Sequence, residues 1–272
     1  MKLAQYYDRE QIRLGLIDGE SLLPLDFRGS MIDLIEKDEP AKPGGPKLPL
    51  EKIRFAPVVS RPSKIIALGL NYLDHARESK GAIPKAPLLF AKFPNSLAGH
   101  KGSIVWPAEI SQKVDFEAEL AVIIGKRIYR PQEHQVMEAV FGYACANDVS
   151  ARDLQFGDGQ WVRGKSLDTF CPIGPWIVTR DEIPDPHALA IKTILNGTTM
   201  QDSNTNMMIF KVPEVIHFIS RQISLLPGDV ILTGTPHGVG AFREPSVYMK
   251  DGDVVVVEIE KVGRLVNTCK VI

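Results

Sequence analysis

The chain has 272 residues, 44% hydrophobic and 24% charged, which is the balance of a globular protein with one large core and room for a small accessory unit. Lys and Arg number 32 against 33 Asp and Glu, and a net charge of -1 argues against an electrostatic nucleic-acid binder or a basic membrane-surface protein. With no charged-then-apolar leader and no apolar run of membrane-spanning length, a cytoplasmic protein is expected, and a small-molecule enzyme or a neutral protein interface fits best.

Residues 1–60 read as a small N-terminal α/β unit. Segments 12–17 and 21–25 predict a hairpin around Asp18-Gly19, a short helix follows near 31–35, and the Pro and Gly density of AKPGGPKLP marks a linker. Residues 61–272 read as a β-rich body. Short apolar runs (KIIALGL, PLLFAKF, GSIVWP, DFEAELAVIIG, IGPWIVT, ALAIKTILNG, DVILTGT, DVVVVEIEKVGRLVN) are mostly bounded by Gly, Pro or Asp. Helical patterns are fewer, the clearest at 71–79, 131–140 and 212–224, and Asn196-Gly197 reads as a hairpin turn. Strands outnumber helices without sustained βαβ alternation, so the fold class is α+β rather than a doubly wound nucleotide fold. Cys145, Cys171 and Cys269 are odd in number and widely spaced, as reduced thiols are.

The first chemical cluster is GLNYLDHARES. In a helix, His75 and Glu78 stand at i,i+3 and meet on one face. A carboxylate beside an imidazole fixes its tautomer and raises its basicity, as a water-activating base requires; a surface ion pair is the ordinary alternative. The second is VDFEAELAVIIG. At a strand's two-residue period Asp115, Glu117 and Glu119 share one face, and Val114, Phe116, Ala118, Leu120 and Val122 the other. Ala121 and Ile123 continue the acidic face, so the strand reads as buried on both sides. Carboxylates stacked there need a compensating cation, which suggests a divalent-metal site.

A third ligand is available in FGYACANDVSARDLQFGDGQW, where Asp148 follows the run Ala144-Cys145-Ala146; a turn or helix cap is its other reading. Lys165 lies among small residues in VRGKSLDTFCPIGP and is a candidate through the company of the other clusters. In ILTGTPHGVG, Gly234, Gly238 and Gly240 look superficially like a phosphate loop, but no helical pattern follows. The better reading is a tight loop whose Thr235 hydroxyl and backbone amides hold a substrate carboxylate, against a plain structural turn.

Taken in order, GLNYLDHARE, DFEAELAVIIGK, NDVSARDLQ, GKSLDTFCPIGP and PGDVILTGTPHGVG resemble the motif series of the fumarylacetoacetate hydrolase family, from roughly Ile65 to the C-terminus. The resemblance implies a mixed β-sandwich roll, a Mg²⁺ or Mn²⁺ cofactor and a homodimer. On that pattern Glu117, Glu119 and Asp148 match the metal ligands. His75 and Glu78 match a lid dyad that positions and deprotonates water, and Lys165 matches the active-site lysine. Arg152 and Gln155 match polar residues near the substrate, and Thr235 the carboxylate-binding threonine. Asp115 receives no ligand role and is expected beside the ligands or facing solvent.

The implied substrate is a small 2-oxo or β-dicarbonyl acid, turned over through a metal-stabilised enolate. GLNYLDH, DVSARD, TFCPIGP and NTNMMIFK resemble members associated with acylpyruvate C–C hydrolysis or with oxaloacetate tautomerisation or decarboxylation. Sibling members isomerise or decarboxylate aromatic-degradation intermediates, as in the 2-hydroxyhepta-2,4-diene-1,7-dioate isomerase type. A dimeric scaffold without activity is expected to lack a ligand or the dyad, and here all those positions are filled. Segment 80–92 is expected to line the distal end of the substrate.

Overall fold

A computed structural model describes residues 1–37, 42–157 and 159–272. The N-terminal segment forms β1 (Lys2–Asp8), β2 (Gln11–Asp18), β3 (Ser21–Pro24), α1 (Met31–Lys37) and the two-residue β4 (Leu48–Pro49). The linker expected from AKPGGPKLP starts at Ala41, outside the described residues. There follow β5 (Ile65–Gly69), α2 (Leu73–Glu78), β6 (Leu88–Lys92), β7 (Leu97–Ala98) and β8 (Ser103–Trp106). The centre of the chain carries β9 (Val114–Asp115), β10 (Ala118–Ile124), β11 (Val140–Asn147), β12 (Ser150–Ala151), α3 (Arg152–Gly157), α4 (Trp161–Lys165) and β13 (Cys171–Thr179). The last stretch holds β14 (Ala190–Leu195), β15 (Thr198–Asn204), α5 (Val212–Ser220), β16 (Val230–Leu232), β17 (Val254–Ile259) and β18 (Gly263–Val271).

Among the described residues the strands form three sheets, in a mixed β-rich α+β architecture. The largest runs β4-β3-β2-β1-β13-β11-β10-β16-β5-β6, with β7 beside β13; a second runs β15-β14-β17-β18-β8; and β9 pairs with β12. Residues 1–60 share the large sheet with the body, because β1 pairs antiparallel with β13, Leu3 opposite Ile177. The central strand β10 is buried along its whole length. Leu120, Val122 and Ile124 face a core shared with α5 and the second sheet, through Val215, Ile216, Ile191 and Val257. Ala121 and Ile123 face the opposite core, against Met31 and Leu34 of α1. Apolar residues on both faces make β10 a continuous hydrophobic run, as the sequence pattern implies.

Several local expectations change. The run read as one strand from Val114 is broken at Phe116–Glu117: β9 pairs with β12, and the chain then enters the large sheet as β10. Segment 131–140 is not an α-helix but two 3₁₀ turns, Glu133–Gln135 and Met137–Ala139. It cannot propagate, because the Ala139 carbonyl is already taken by the Gly125 amide and Val140 enters β11. The other two helices form but are shorter, and β1 carries no marked sequence signal. The Asn196-Gly197 turn forms with both residues at positive φ, Leu195 opposite Thr198, as a two-residue hairpin requires. Among the described residues no helix is long and apolar enough to cross a membrane. The three cysteines are buried and free.

His100 ties the N-terminal segment to the second sheet. Its ring meets Phe55 edge-on at 5.1 Å, and its Nδ1 accepts the Val266 amide at 3.0 Å. Burial, reinforced by the Lys101 and Arg264 charges, pushes the imidazole down to about 4. Between the ordinary histidine value near 6.5 and that value, the unfolded chain takes up a proton that the folded chain refuses, so stability falls as the pH drops through this window, by about 3 kcal/mol. Urea melts at pH 7 and pH 4.5 are expected to show a larger loss in the parent than in His100→Gln, which keeps an acceptor for Val266. Equal losses exclude His100 as the source.

Candidate metal centre and active site

Sheet topology brings the site together at one end of neighbouring strands. In the β10–β11 ladder Ala118 lies opposite Asn147, so Glu117 and Asp148, thirty-one positions apart, are adjacent just beyond it. The Asp148 amide donates to the Glu117 carbonyl at 2.9 Å, and the Asn147 side chain accepts the Glu117 amide at 2.9 Å. On the other edge of β10, β16 leads into Thr233–Gly234. Beside it, parallel β5 leads through Asn71 into α2 and His75. Asn71 staples these loops with bonds to the Phe210 and Thr233 carbonyls and to the Phe210 amide.

Glu117, Glu119 and Asp148 are buried, and one carboxylate oxygen from each lies within 4.8 Å of the others. Glu119 Oε2 accepts the Gly234 amide at 2.6 Å, while its Oε1 has no hydrogen-bond partner among the described residues. Burial, with the Asp148 and Glu117 charges added, holds the Glu119 carboxyl well above the usual range. Glu117 is also penalised by burial, but Lys165 and Arg152 outweigh this and hold it well below. An unpartnered buried acceptor costs about 1–3 kcal/mol. A hard divalent cation among three carboxylates removes that cost, and a set with oxygen donors and no sulfur or nitrogen suits Mg²⁺ or Mn²⁺. The residues present therefore fit such an ion.

A chain of alternating charges runs through the site. Asp115 Oδ2 meets Arg152 Nε and Nη2 at 2.9 and 2.8 Å, and Arg152 Nη2 meets Glu117 Oε1 at 2.7 Å. Glu117 Oε2 accepts from Lys165 Nζ at 2.8 Å, which also donates to Asp148 Oδ2 at 2.7 Å. Asp148 Oδ1 accepts from Lys92 Nζ at 2.6 Å. All six residues are buried, and each interior member is paired on both sides, as buried ions require. Asp115 is thus not solvent-facing. Lys92 belongs to no sequence motif; its only signal is a cation two residues after Phe90 in the apolar run PLLFAKF, on the same strand face.

The Gly-rich loop behaves differently from its sequence reading. Its amides are occupied by the site's own acids: Gly234 by Glu119, Gly238 by Glu78 Oε1 at 2.9 Å, and Gly240 and Ala241 by Asp115 at 2.7 and 2.9 Å. Gly234 and Gly238 both have φ of 92°, and a Cβ on Gly240 would lie 2.6 Å from Asp115 Oδ1, so side chains are excluded there. Thr235 remains available. Its hydroxyl oxygen accepts from Gln201 Nε2 at 2.9 Å, which leaves its proton for a ligand.

His75 Nδ1 lies 3.1 Å from Glu78 Oε2, so the helical i,i+3 pair forms. Burial opposes ionisation of Glu78, but the His75 and Gly238 hydrogen bonds prevail and hold its carboxyl below the ordinary value. Asp74, on the same short helix, receives the Ser203 hydroxyl and so anchors the dyad to β15. Glu117 opens onto a cavity of about 230 Å³. Glu117, Arg152, Gln155, Lys165, Thr235 and His75 line its polar side, and Leu68, Phe90, Phe156, Trp161 and Phe242 its apolar side. Of segment 80–92, Gly81 and Phe90 reach this cavity.

Residues 64–270 match the family described as fumarylacetoacetate (FAA) hydrolase C-terminal. The Bos taurus protein named oxaloacetate tautomerase FAHD2A, mitochondrial, is 49% identical over 224 residues, covering 82% of this chain and 71% of the relative. The fumarylacetoacetate hydrolase structure from Exiguobacterium antarcticum superposes with a TM-score of 0.92 at 36% identity, covering 100% of both chains. A maleylpyruvate hydrolase from Sphingobium sp. SYK-6, in complex with manganese (II) ion and pyruvate, gives a TM-score of 0.82 at 32% identity, covering 100% of this chain and 99% of that one.

Proposed function

This chain belongs to the fumarylacetoacetate hydrolase family, and from that premise we propose that it is a Mg²⁺- or Mn²⁺-dependent enzyme of small 2-oxo acids that interconverts the keto and enol forms of oxaloacetate. The observation that carries the reading is the buried Glu117–Glu119–Asp148 triad, one oxygen of which has no hydrogen-bond partner among the described residues, with Glu117 opening onto a cavity lined by hydrogen-bond donors. Held by those three carboxylates, the ion supplies Lewis-acid stabilisation of negative charge on the 2-oxo oxygen.

The protein's own groups do the rest. Thr235 donates its hydroxyl proton to the substrate carboxylate. Lys165 uses two of its three N–H donors on Glu117 and Asp148 and directs the third to oxygen charge developing in the cavity. Gln155 Oε1 accepts from Arg152 Nη1 at 2.9 Å, which leaves the Gln155 amide N–H groups to orient the substrate. His75, oriented by Glu78, takes a proton from C3 as the C2–C3 double bond forms and delivers that proton to the carbonyl oxygen; the reverse transfer restores the ketone.

Charge balance supports an anionic substrate. With Glu119 ionised as a ligand, the site's buried acids Asp115, Glu117, Glu119 and Asp148 face the buried cations Lys92, Arg152 and Lys165, leaving one excess negative charge. A divalent ion would turn that into one positive charge, which attracts the carboxylates of a 2-oxo acid.

A second reading is acylpyruvate C–C hydrolysis, which the formed His75–Glu78 pair favours because it can activate water toward the C4 carbonyl. A substrate panel with Mg²⁺ or Mn²⁺ separates the two, with oxaloacetate enol decay and pyruvate release followed independently beside acetylpyruvate and fumarylpyruvate cleavage. Accelerated enol decay without pyruvate release is expected. No acceleration of enol decay defeats the tautomerase reading, and cleavage alone transfers the site to hydrolysis.

A further inference from the structure

We propose that Lys92 is a positioning residue for the metal centre, its buried ammonium setting the orientation of the Asp148 carboxylate and of the backbone that carries Lys165. The inference rests on the metal reading above. Lys92 is 1% exposed, and its Nζ donates to three oxygens: Asp148 Oδ1, the Val149 carbonyl at 3.3 Å and the Lys165 carbonyl. An ammonium has three N–H donors, so none is left for a substrate. Lys92 therefore acts through its neighbours and not on the reacting atoms.

The three contacts have one consequence. With Oδ1 of Asp148 held by Lys92, Oδ2 is turned toward Lys165 Nζ and the Glu117 side of the site. The Lys165 main chain is gripped at the end of α4, which fixes the origin of the side chain that reaches both ligands. An apolar side chain on β6 could fill the same space without the cost of burying an ammonium. What the charge adds is direction: it decides which oxygen of the ligand faces the cation.

Mn²⁺ binding to the purified protein, measured by electron paramagnetic resonance, tests this. Lys92→Met keeps an unbranched apolar stem and removes the charge. It is expected to weaken Mn²⁺ binding by about 10- to 100-fold, the usual effect of losing a hydrogen-bond partner of a metal ligand. Leu14→Ala, a cavity in the core on the α1 side, is the control: it lowers the melting temperature and leaves Mn²⁺ affinity unchanged. If Lys92→Met does not fold, Lys92→Gln, which retains a neutral donor, is read in its place and a loss near the lower end is expected. Affinity within twofold of the parent in a folded Lys92 variant overturns the proposal. So does a fall in affinity that Leu14→Ala reproduces. If neither Lys92 variant folds while Asp148→Asn does, Lys92 is a determinant of folding and the proposal also fails. A parent protein that binds no Mn²⁺ overturns the metal reading itself, a result distinct from equal binding by parent and variant.

Discussion

Glu117→Gln is expected to remove Mn²⁺ binding and to lower kcat/KM by about 10³, comparable with losing a principal electrostatic contact to the transition state. The amide keeps the shape and one acceptor oxygen but not the charge. It leaves Lys165 and Arg152 each with one anionic partner, Asp148 and Asp115 respectively. Because both cations stay paired, the fold should survive, where a wholly unpaired buried charge would cost about 3–5 kcal/mol. Steady-state kinetics, Mn²⁺ titration and a thermal melt on the same preparation check the three parts separately. Activity within tenfold of the parent would sink the metal mechanism, since Glu117 is the ligand that also meets both active-site cations.

His75→Ala is the second large effect. Among the described residues it is the one histidine lining the cavity. General base catalysis contributes about 10²–10⁴ to rate, and acylpyruvate hydrolysis, which needs an activated water, is expected to lose toward the upper end of that range. Oxaloacetate tautomerisation should lose at least about 10², with KM little changed, because the proposed reading assigns the substrate carboxylate to Thr235 and not to His75. Glu78→Gln should lose less, since Gly238 still holds its side chain and the imidazole remains in place. Parallel progress curves for both substrates check this. Full retention of either activity by His75→Ala shows that another group moves that proton.

The His75–Glu78 pair was readable because its partners sit one helical turn apart, where local geometry nearly suffices. The Asn196-Gly197 turn was readable for the same reason. The acidic strand was partly readable: its two-sided burial followed from apolar residues at both parities, but the break at Phe116–Glu117 did not. That break is made by β12 and β11 pairing with successive parts of the run, and both partners are remote in sequence. Asp115 illustrates the difference. Its alternation with Glu117 and Glu119 suggested equivalence, yet it grips Arg152 and the amides of Gly240 and Ala241.

Sequence pattern alone marked out much of the β-rich body and the chemistry on hand: oxygen ligands without sulfur or nitrogen, a histidine–carboxylate pair at helical spacing and a glycine loop not followed by a helix. Only the tertiary structure decided what each oxygen touches. Glu119 meets Gly234 across 115 positions, and Lys92 meets Asp148 across 56, through strand pairings and loop packing that no local period encodes. The reason is physical. Periodicity reports the face on which a side chain lies, whereas an ion pair or hydrogen bond depends on a separation of about 3 Å, and only the register between distant strands sets it.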